Sequence, residues 1–170
     1  MSVLHSGHSG SSDSKSQRND EDITLFYCTN ATISTIYTTV GQTECKTDYV
    51  NKTDNRSTQF QRHFTLGNER TLNLTGIFKN ARKSIYYKTF DAMDVYEKNG
   101  NKYHKFEELL FTYGEGNCGI FFVAPWGGRG NDYELRVKNE THMSKECTEK
   151  FKSHTKSAGS AGRINNCTNT

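Results

Sequence analysis

Residues 117–147 read NCGIFFVAPWGGRGNDYELRVKNETHMSKEC. An apolar run, Ile120-Phe121-Phe122-Val123, meets a loop at 125–131 that holds Gly127-Gly128. A second run follows, Tyr133-Glu134-Leu135-Arg136-Val137. Aromatic and β-branched residues bounded by turn residues predict a two-stranded hairpin. Next, residues 141–155 predict a helix, with Thr141 or Ser144 as cap and Glu146 or Glu149 in its first turns. Cys118 opens the first strand and Cys147 lies in the helix, so a bond between them would tie helix to sheet.

Working outward, short strands recur. The segments 23–28 (ITLFYC), 32–40, 45–50, 59–66 and 70–78 each carry Thr, Tyr, Phe, Ile or Leu between polar turns. Residues 84–96 read as a longer strand, bulged near Asp91. Asn99-Gly100 favours a type I′ turn joining 85–96 to 103–113, because both residue types tolerate positive φ. About eight strands in meander order predict an all-β fold, an eight-stranded up-and-down antiparallel barrel over residues 22–138. Such a barrel encloses room for one small ligand. A two-sheet sandwich fits the same strand count. One helix follows at 141–155, then a tail at 156–170. Residues 1–21 are rich in Ser, Gly and charge without periodicity and predict a disordered polar tail.

Composition narrows the function. The mean hydropathy is −0.85 and only 32% of residues are hydrophobic, yet there are 10 Phe and 9 Tyr. That combination suits an ordered β domain with a polar exterior. The net charge of +3 is mild and its cations are scattered, which argues against nucleic acid. Six Asn-x-Ser/Thr sequons stand at Asn30, Asn51, Asn55, Asn73, Asn139 and Asn166, and predict a glycosylated, secreted protein. Five cysteines without CxxC pairs fit disulfides in an oxidising compartment better than a zinc site. No stretch is long and apolar enough to span a membrane, and the chain reads as a mature form whose targeting segment has been removed.

Nothing in the sequence assembles a catalytic set. There is no G-x-S-x-G, H-E-x-x-H or phosphate loop, and His63, His104, His142 and His154 stand without patterned partners. No enzyme, cofactor or metal is expected, and His5-x-x-His8 sits on the polar tail. A binding barrel instead needs an apolar lumen with a few polar groups. With Tyr133, Leu135 and Val137 under the helix, alternation turns Glu134, Arg136 and Lys138 toward the lumen or its mouth. Ile120 and Phe122 then pack outward, and Gly119, Phe121 and Val123 face inward. The plainer readings are an exposed Glu134–Arg136 pair on an edge strand, and Phe111 and Phe121 as core filling.

The ordered set Cys118-Gly119-Ile120, Tyr133-Glu134-Leu135-Arg136 and a helical Cys147 resembles the tick salivary lipocalins, the histamine-binding-protein family. The resemblance covers residues 22–167 and implies the same barrel. It implies the disulfides Cys118–Cys147 and Cys45–Cys167, whereas spacing alone leaves three pairings open. Cys28 is left over, as a buried thiol in a monomer or as the link of a dimer. By similarity the strand before Cys118 turns Glu107, Leu109, Phe111 and Tyr113 inward, unless a one-residue slip swaps its face. The expected ligand-binding site joins Arg136, Glu134 and Phe121, from alternation, to Glu107, Phe111 and Tyr113, from the resemblance.

This chain departs from that family where a carboxylate follows the strand cysteine and an aromatic follows Glu-Leu: it has Gly119 and Arg136. A cation in the lumen disfavours a cationic amine and suits a carboxylate, through a bidentate pair. Glu134 and Glu107 would cancel that preference by neutralising Arg136. The expected role is sequestration of a small host mediator in tick saliva, an anionic lipid such as a leukotriene or fatty acid first and a biogenic amine second, suppressing inflammation or haemostasis. The alternative is a scaffold whose loops bind a host defence protein, a complement component or cytokine.

Overall fold

The computed structural model describes residues 21–82, 89–100, 102–139 and 144–168. Two short helices and nine strands run in the order α1 (Ile23–Phe26), β1 (Thr32–Thr38), β2 (Lys46–Thr53), β3 (Ser57–Phe64), β4 (Arg70–Lys79), β5 (Ala92–Glu97), β6 (His104–Tyr113), β7 (Cys118–Pro125), β8 (Asp132–Lys138), α2 (Lys145–Ala158) and β9 (Asn165–Asn166). All strand pairs are antiparallel, in the spatial order β2-β3-β4-β5-β6-β7-β8-β1, and β1 pairs back onto β2. The sheet therefore closes on itself as an eight-stranded up-and-down barrel, and the sandwich is excluded. β9 adds to the far half of β1, through Tyr37 and Thr38. Of the expected 1–21 tail, residues 1–20 lie outside the described residues, while Glu21 is buried and accepts from the Thr112 hydroxyl at 2.6 Å.

Chain order fixes the two ends. The β1–β2, β3–β4, β5–β6 and β7–β8 connections gather at one end, the mouth. The opposite end is closed by α1. Residues 23–28, expected as a strand, enter the barrel instead as this helical turn. Asp22 caps it, its Oδ1 accepting from the Thr24 amide at 2.9 Å. A short apolar run is ambiguous between strand and helix until its surroundings decide, and here Ile23, Phe26 and Tyr27 are all buried among barrel side chains. Phe26 meets Phe121 edge-on at 5.3 Å, and Tyr27 lies 5.3 Å from Phe60.

The β5–β6 hairpin forms, but not through a two-residue turn at Asn99-Gly100. Tyr96 pairs with His104 and the Glu97 amide donates to the Tyr103 carbonyl, leaving a longer loop. Gly100 does not take positive φ. Its neighbour Glu97 lies where a Gly100 side chain would point. Residues 83–88, expected in the strand before this loop, are outside the described residues.

Outside the barrel, α2 covers β7 and β8. Ser144 is its cap, accepting from the Cys147 amide at 3.1 Å, and Gly159 ends it at φ +80°, a conformation that favours glycine. The alternative cap Thr141 lies outside the described residues. Cys147, Phe151 and Thr155 form the buried stripe, and Phe151 stacks on Tyr37 at 5.7 Å. Both disulfides form as the resemblance implied: Cys118–Cys147 clamps helix to barrel, and Cys45–Cys167 ties the tail to the β1–β2 connection. Cys28 is a half-buried free thiol packed against the interior cluster.

Candidate functional site

The interior has two layers. The lower layer is apolar: Ile23, Phe26, Ile33, Val50, Phe60, Leu74, Phe78, Met93, Val95, Leu109 and Phe121 fill the closed half. Above it lies a belt of six buried charges, carried inward by the period-two alternation of their strands. These are Lys46 and Asp48 on β2, Arg62 on β3, Glu107 on β6, and Glu134 and Arg136 on β8, none more than 3% exposed.

Their hydrogen bonds interlock. Arg62 donates to both Asp48 oxygens at 2.8 Å, to Glu107 at 2.7 and 3.1 Å, and to the Tyr103 hydroxyl at 2.9 Å. Arg136 donates to Glu107 at 2.7 Å, to Glu134 Oε1 through Nε at 3.1 Å and Nη2 at 2.7 Å, and to the Tyr27 hydroxyl at 2.8 Å. Tyr27 in turn donates to Asp48 at 2.7 Å. Lys46 donates to both Glu134 oxygens at 2.8 and 2.7 Å and to the Glu44 carbonyl at 3.0 Å. Thr38 adds a fifth hydrogen bond to Glu134 at 2.8 Å. The Arg136 guanidinium also lies 4.4 Å over the Phe121 ring.

Three cations face three carboxylates, so the belt is neutral. Its electrostatics follow. Burial alone would raise the Glu134 carboxyl, but Lys46 and Arg136 override it and bring it down to about 2. Glu107 is likewise held well below the usual carboxylate range, with burial opposed by Arg136 and Arg62. Burial is also the largest influence on Lys46, and it lowers the ammonium despite Glu134. Burial pushes Tyr27 and Tyr103 up, so both stay phenols.

Above the belt the mouth holds a cavity of about 120 Å³. Its apolar wall is Val40, Val123, Ala124 and Pro125. Lys46, Glu107, Glu134 and Arg136 form its floor, and Tyr103, Lys105, Glu44 and Asp132 complete it. The turn Gln42–Glu44 brings Glu44 to the rim.

Of the residues singled out from the sequence, Arg136, Glu134, Phe121 and Glu107 come together inside, and Lys138 reaches the closed end, where it donates to the Leu25 carbonyl at 2.9 Å. Phe111 and Tyr113 do not join them. A bulge between Leu109 and Phe111 slips the β6–β7 register, and both rings turn outward into the cluster beneath α2. The expectation that they face the lumen is corrected by that one extra residue. Tyr103, Lys46, Asp48 and Arg62 were missed. Their signal was present: Arg62 shares a face with Phe60 and Phe64, and Asp48 with Val50, but charged residues in an alternating strand read as its solvent side.

Gly119, where the resembling family carries a carboxylate, is tightly enclosed. A Cβ there would sit 3.0 Å from Phe26, Leu109 and Phe121 atoms.

The other expected features are distributed over the exterior. Asn30, Asn51, Asn55, Asn73 and Asn139 are exposed, while Asn166 is half-buried in β9. His63 contacts Thr71, His104 stacks on Trp126 at 4.6 Å, and His154 packs against Phe111 and Tyr133. His142, His5 and His8 lie outside the described residues. No described helix is long and apolar enough to cross a membrane.

No family model matches the sequence, and no curated protein matches it. Solved structures do. Apocrustacyanin C2 superposes with a TM-score of 0.57 at 9% identity, over 91% of this chain and 84% of that one. Lobster apocrustacyanin A1 gives 0.55 at 10%, over 91% and 81%. The bovine lipocalin allergen Bos d 2 gives 0.53 at 11%, over 79% and 89%. What this chain shares with those lipocalins, at such low identity, is the fold: a closed eight-stranded antiparallel barrel with one C-terminal helix on its outside.

Proposed function

We propose that the chain is a secreted carrier that buries one small molecule in the mouth of its barrel and sequesters it without chemistry. The observation that carries this reading is the cavity of about 120 Å³ between an apolar wall and the ionic belt. That is roughly ten times the 10–15 Å³ that a single water needs, which suits a small ligand rather than a long chain. Two disulfides support an oxidising, extracellular setting. The role of removing a host mediator at a tick feeding site rests on the sequence resemblance alone.

The size and charge of the site refine the ligand expected from sequence. A leukotriene or long fatty acid needs an apolar shaft beneath its carboxylate, and Phe26, Phe60 and Phe121 occupy that shaft. Arg136 has committed four of its five N–H groups within the belt. A shorter mediator suits the geometry better. Native mass spectrometry of secreted protein, incubated with fatty acids, arachidonate products, histamine, serotonin and short polar metabolites, tests this. Retention of one short compound, abolished by Val123→Trp at the cavity wall, is expected. Retention of a long-chain lipid, or of nothing, overturns it.

A second reading has its own observation. Trp126 is 55% exposed and stacks on His104, which Tyr96 meets edge-on at 6.3 Å. Exposed aromatics beside the mouth suit contact with a protein, such as a complement component or cytokine. Capture of a serum protein that is lost in Trp126→Ala, with no small ligand retained, favours this reading.

A further inference from the structure

We infer that the ligand is a small zwitterion, its carboxylate set on the donors of the cavity floor and its cation against Glu44 at the rim. This rests on the mouth cavity being the binding site.

The argument is a count of hydrogen-bonding capacity that the belt leaves open. Glu134 already accepts five hydrogen bonds, from Lys46, Arg136 and Thr38. Glu107 accepts three, from Arg62 and Arg136. A bare ammonium entering the cavity would therefore find floor carboxylates almost fully taken. Donors are in surplus instead. The Tyr103 hydroxyl accepts from Arg62 and makes no donated bond among the described residues. Arg136 keeps one Nη2 hydrogen. The Lys105 ammonium has only the Tyr103 ring, 5.7 Å away, as its described contact. All three line the same cavity, and together they offer an acceptor group, above all a carboxylate, the hydrogen bonds it loses on leaving water.

A simple anion leaves one group unmatched. Glu44 also lines the cavity, and among the described residues its carboxylate makes no hydrogen bond or ion pair. Its charge nevertheless acts on Lys46 and Tyr103. Asp132, the other rim carboxylate, is engaged by Thr39 at 2.8 Å and Arg163 at 3.0 Å. The belt beneath is neutral, three charges against three, so it adds no net preference. What remains open among the described residues is one unpaired cation, Lys105, with the Tyr103 hydroxyl and the last Arg136 N–H below it, and one anion, Glu44. A ligand bearing both signs matches both, and its short apolar body meets Val40 and Val123.

Three probes of nearly one shape separate the classes: phenylalanine, phenethylamine and 3-phenylpropanoate, titrated calorimetrically at neutral pH. Phenylalanine is expected to bind at least tenfold more tightly than either. Glu44→Gln should reduce it to the affinity of 3-phenylpropanoate, and Lys105→Met should weaken both carboxylates while leaving the amine unchanged. Neither side chain is buried, so both variants should keep the parent melting temperature. Tightest binding of the amine, or equal binding of all three, overturns the zwitterion while leaving the cavity standing, provided Val123→Trp blocks it. No binding of any probe overturns the zwitterion too. The cavity reading falls with it only if native mass spectrometry also finds nothing retained.

Discussion

The two halves of the lumen solve the same packing problem in opposite ways. The closed half is filled by rings and branched chains around α1 and would tolerate modest changes of shape. The belt above it is filled by six charges that satisfy one another, and tolerates no single loss. Removing an apolar side chain there leaves a hole. Removing one charge leaves a buried net charge and partners with one ion pair fewer. In this barrel the polar atoms presented at the mouth are balanced by partners within the belt beneath.

The comparison breaks most sharply at Arg62. Arg62→Met leaves Asp48 with the Tyr27 hydroxyl alone and Glu107 with Arg136 alone, and should lower stability by about 3–5 kcal/mol in urea unfolding; a loss below about 1 kcal/mol would mean that water reaches the belt. Phe26→Ala, in the apolar half, should cost about 3 kcal/mol by the same measurement. It should also make Gly119→Glu, which alone is crowded by Phe26, Leu109 and Phe121, far less damaging. Acid comes next. Glu134 has a depressed folded-state pKa, so its contribution is present above the ordinary carboxylate range, and it is lost as pH falls from about 4.5 toward 2. That loss is on the order of 3 kcal/mol, seen as a falling unfolding midpoint whose slope Glu134→Gln should reduce, the remainder coming from Glu107. Smallest is the mouth, where Val40→Ser should stay within about 0.5 kcal/mol of the parent.

Much of the barrel was readable from the chain because its hairpins are consecutive and alternate cleanly. The resemblance at Cys118, Glu134-Leu135 and Cys147 supplied both disulfides, which spacing could not. What escaped had physical reasons. Residues 23–28 are as apolar as a strand, and only the open barrel end to be filled makes them a helix. Phe111 and Tyr113 followed an alternation that a single bulge reverses. Arg62, Asp48 and Lys46 were invisible because burial of a charge depends on partners 14 to 88 residues away, a relation that no local pattern contains. Arg136 and Glu134 were placed inward from one strand. Neutralisation of Arg136 by Glu134 and Glu107 was among the readings of the sequence; the share that Lys46 and Arg62 take in it needed the opposite wall.

The two disulfides have a consequence for the fate of a damaged molecule. Cys147 and Cys167 anchor the chain's last segment to Cys118 and Cys45, far earlier in the sequence. A protease that cuts once between β8 and Cys147 therefore releases nothing. The two fragments migrate as one species until a reductant separates them, and a nicked molecule keeps its barrel closed by the two bonds.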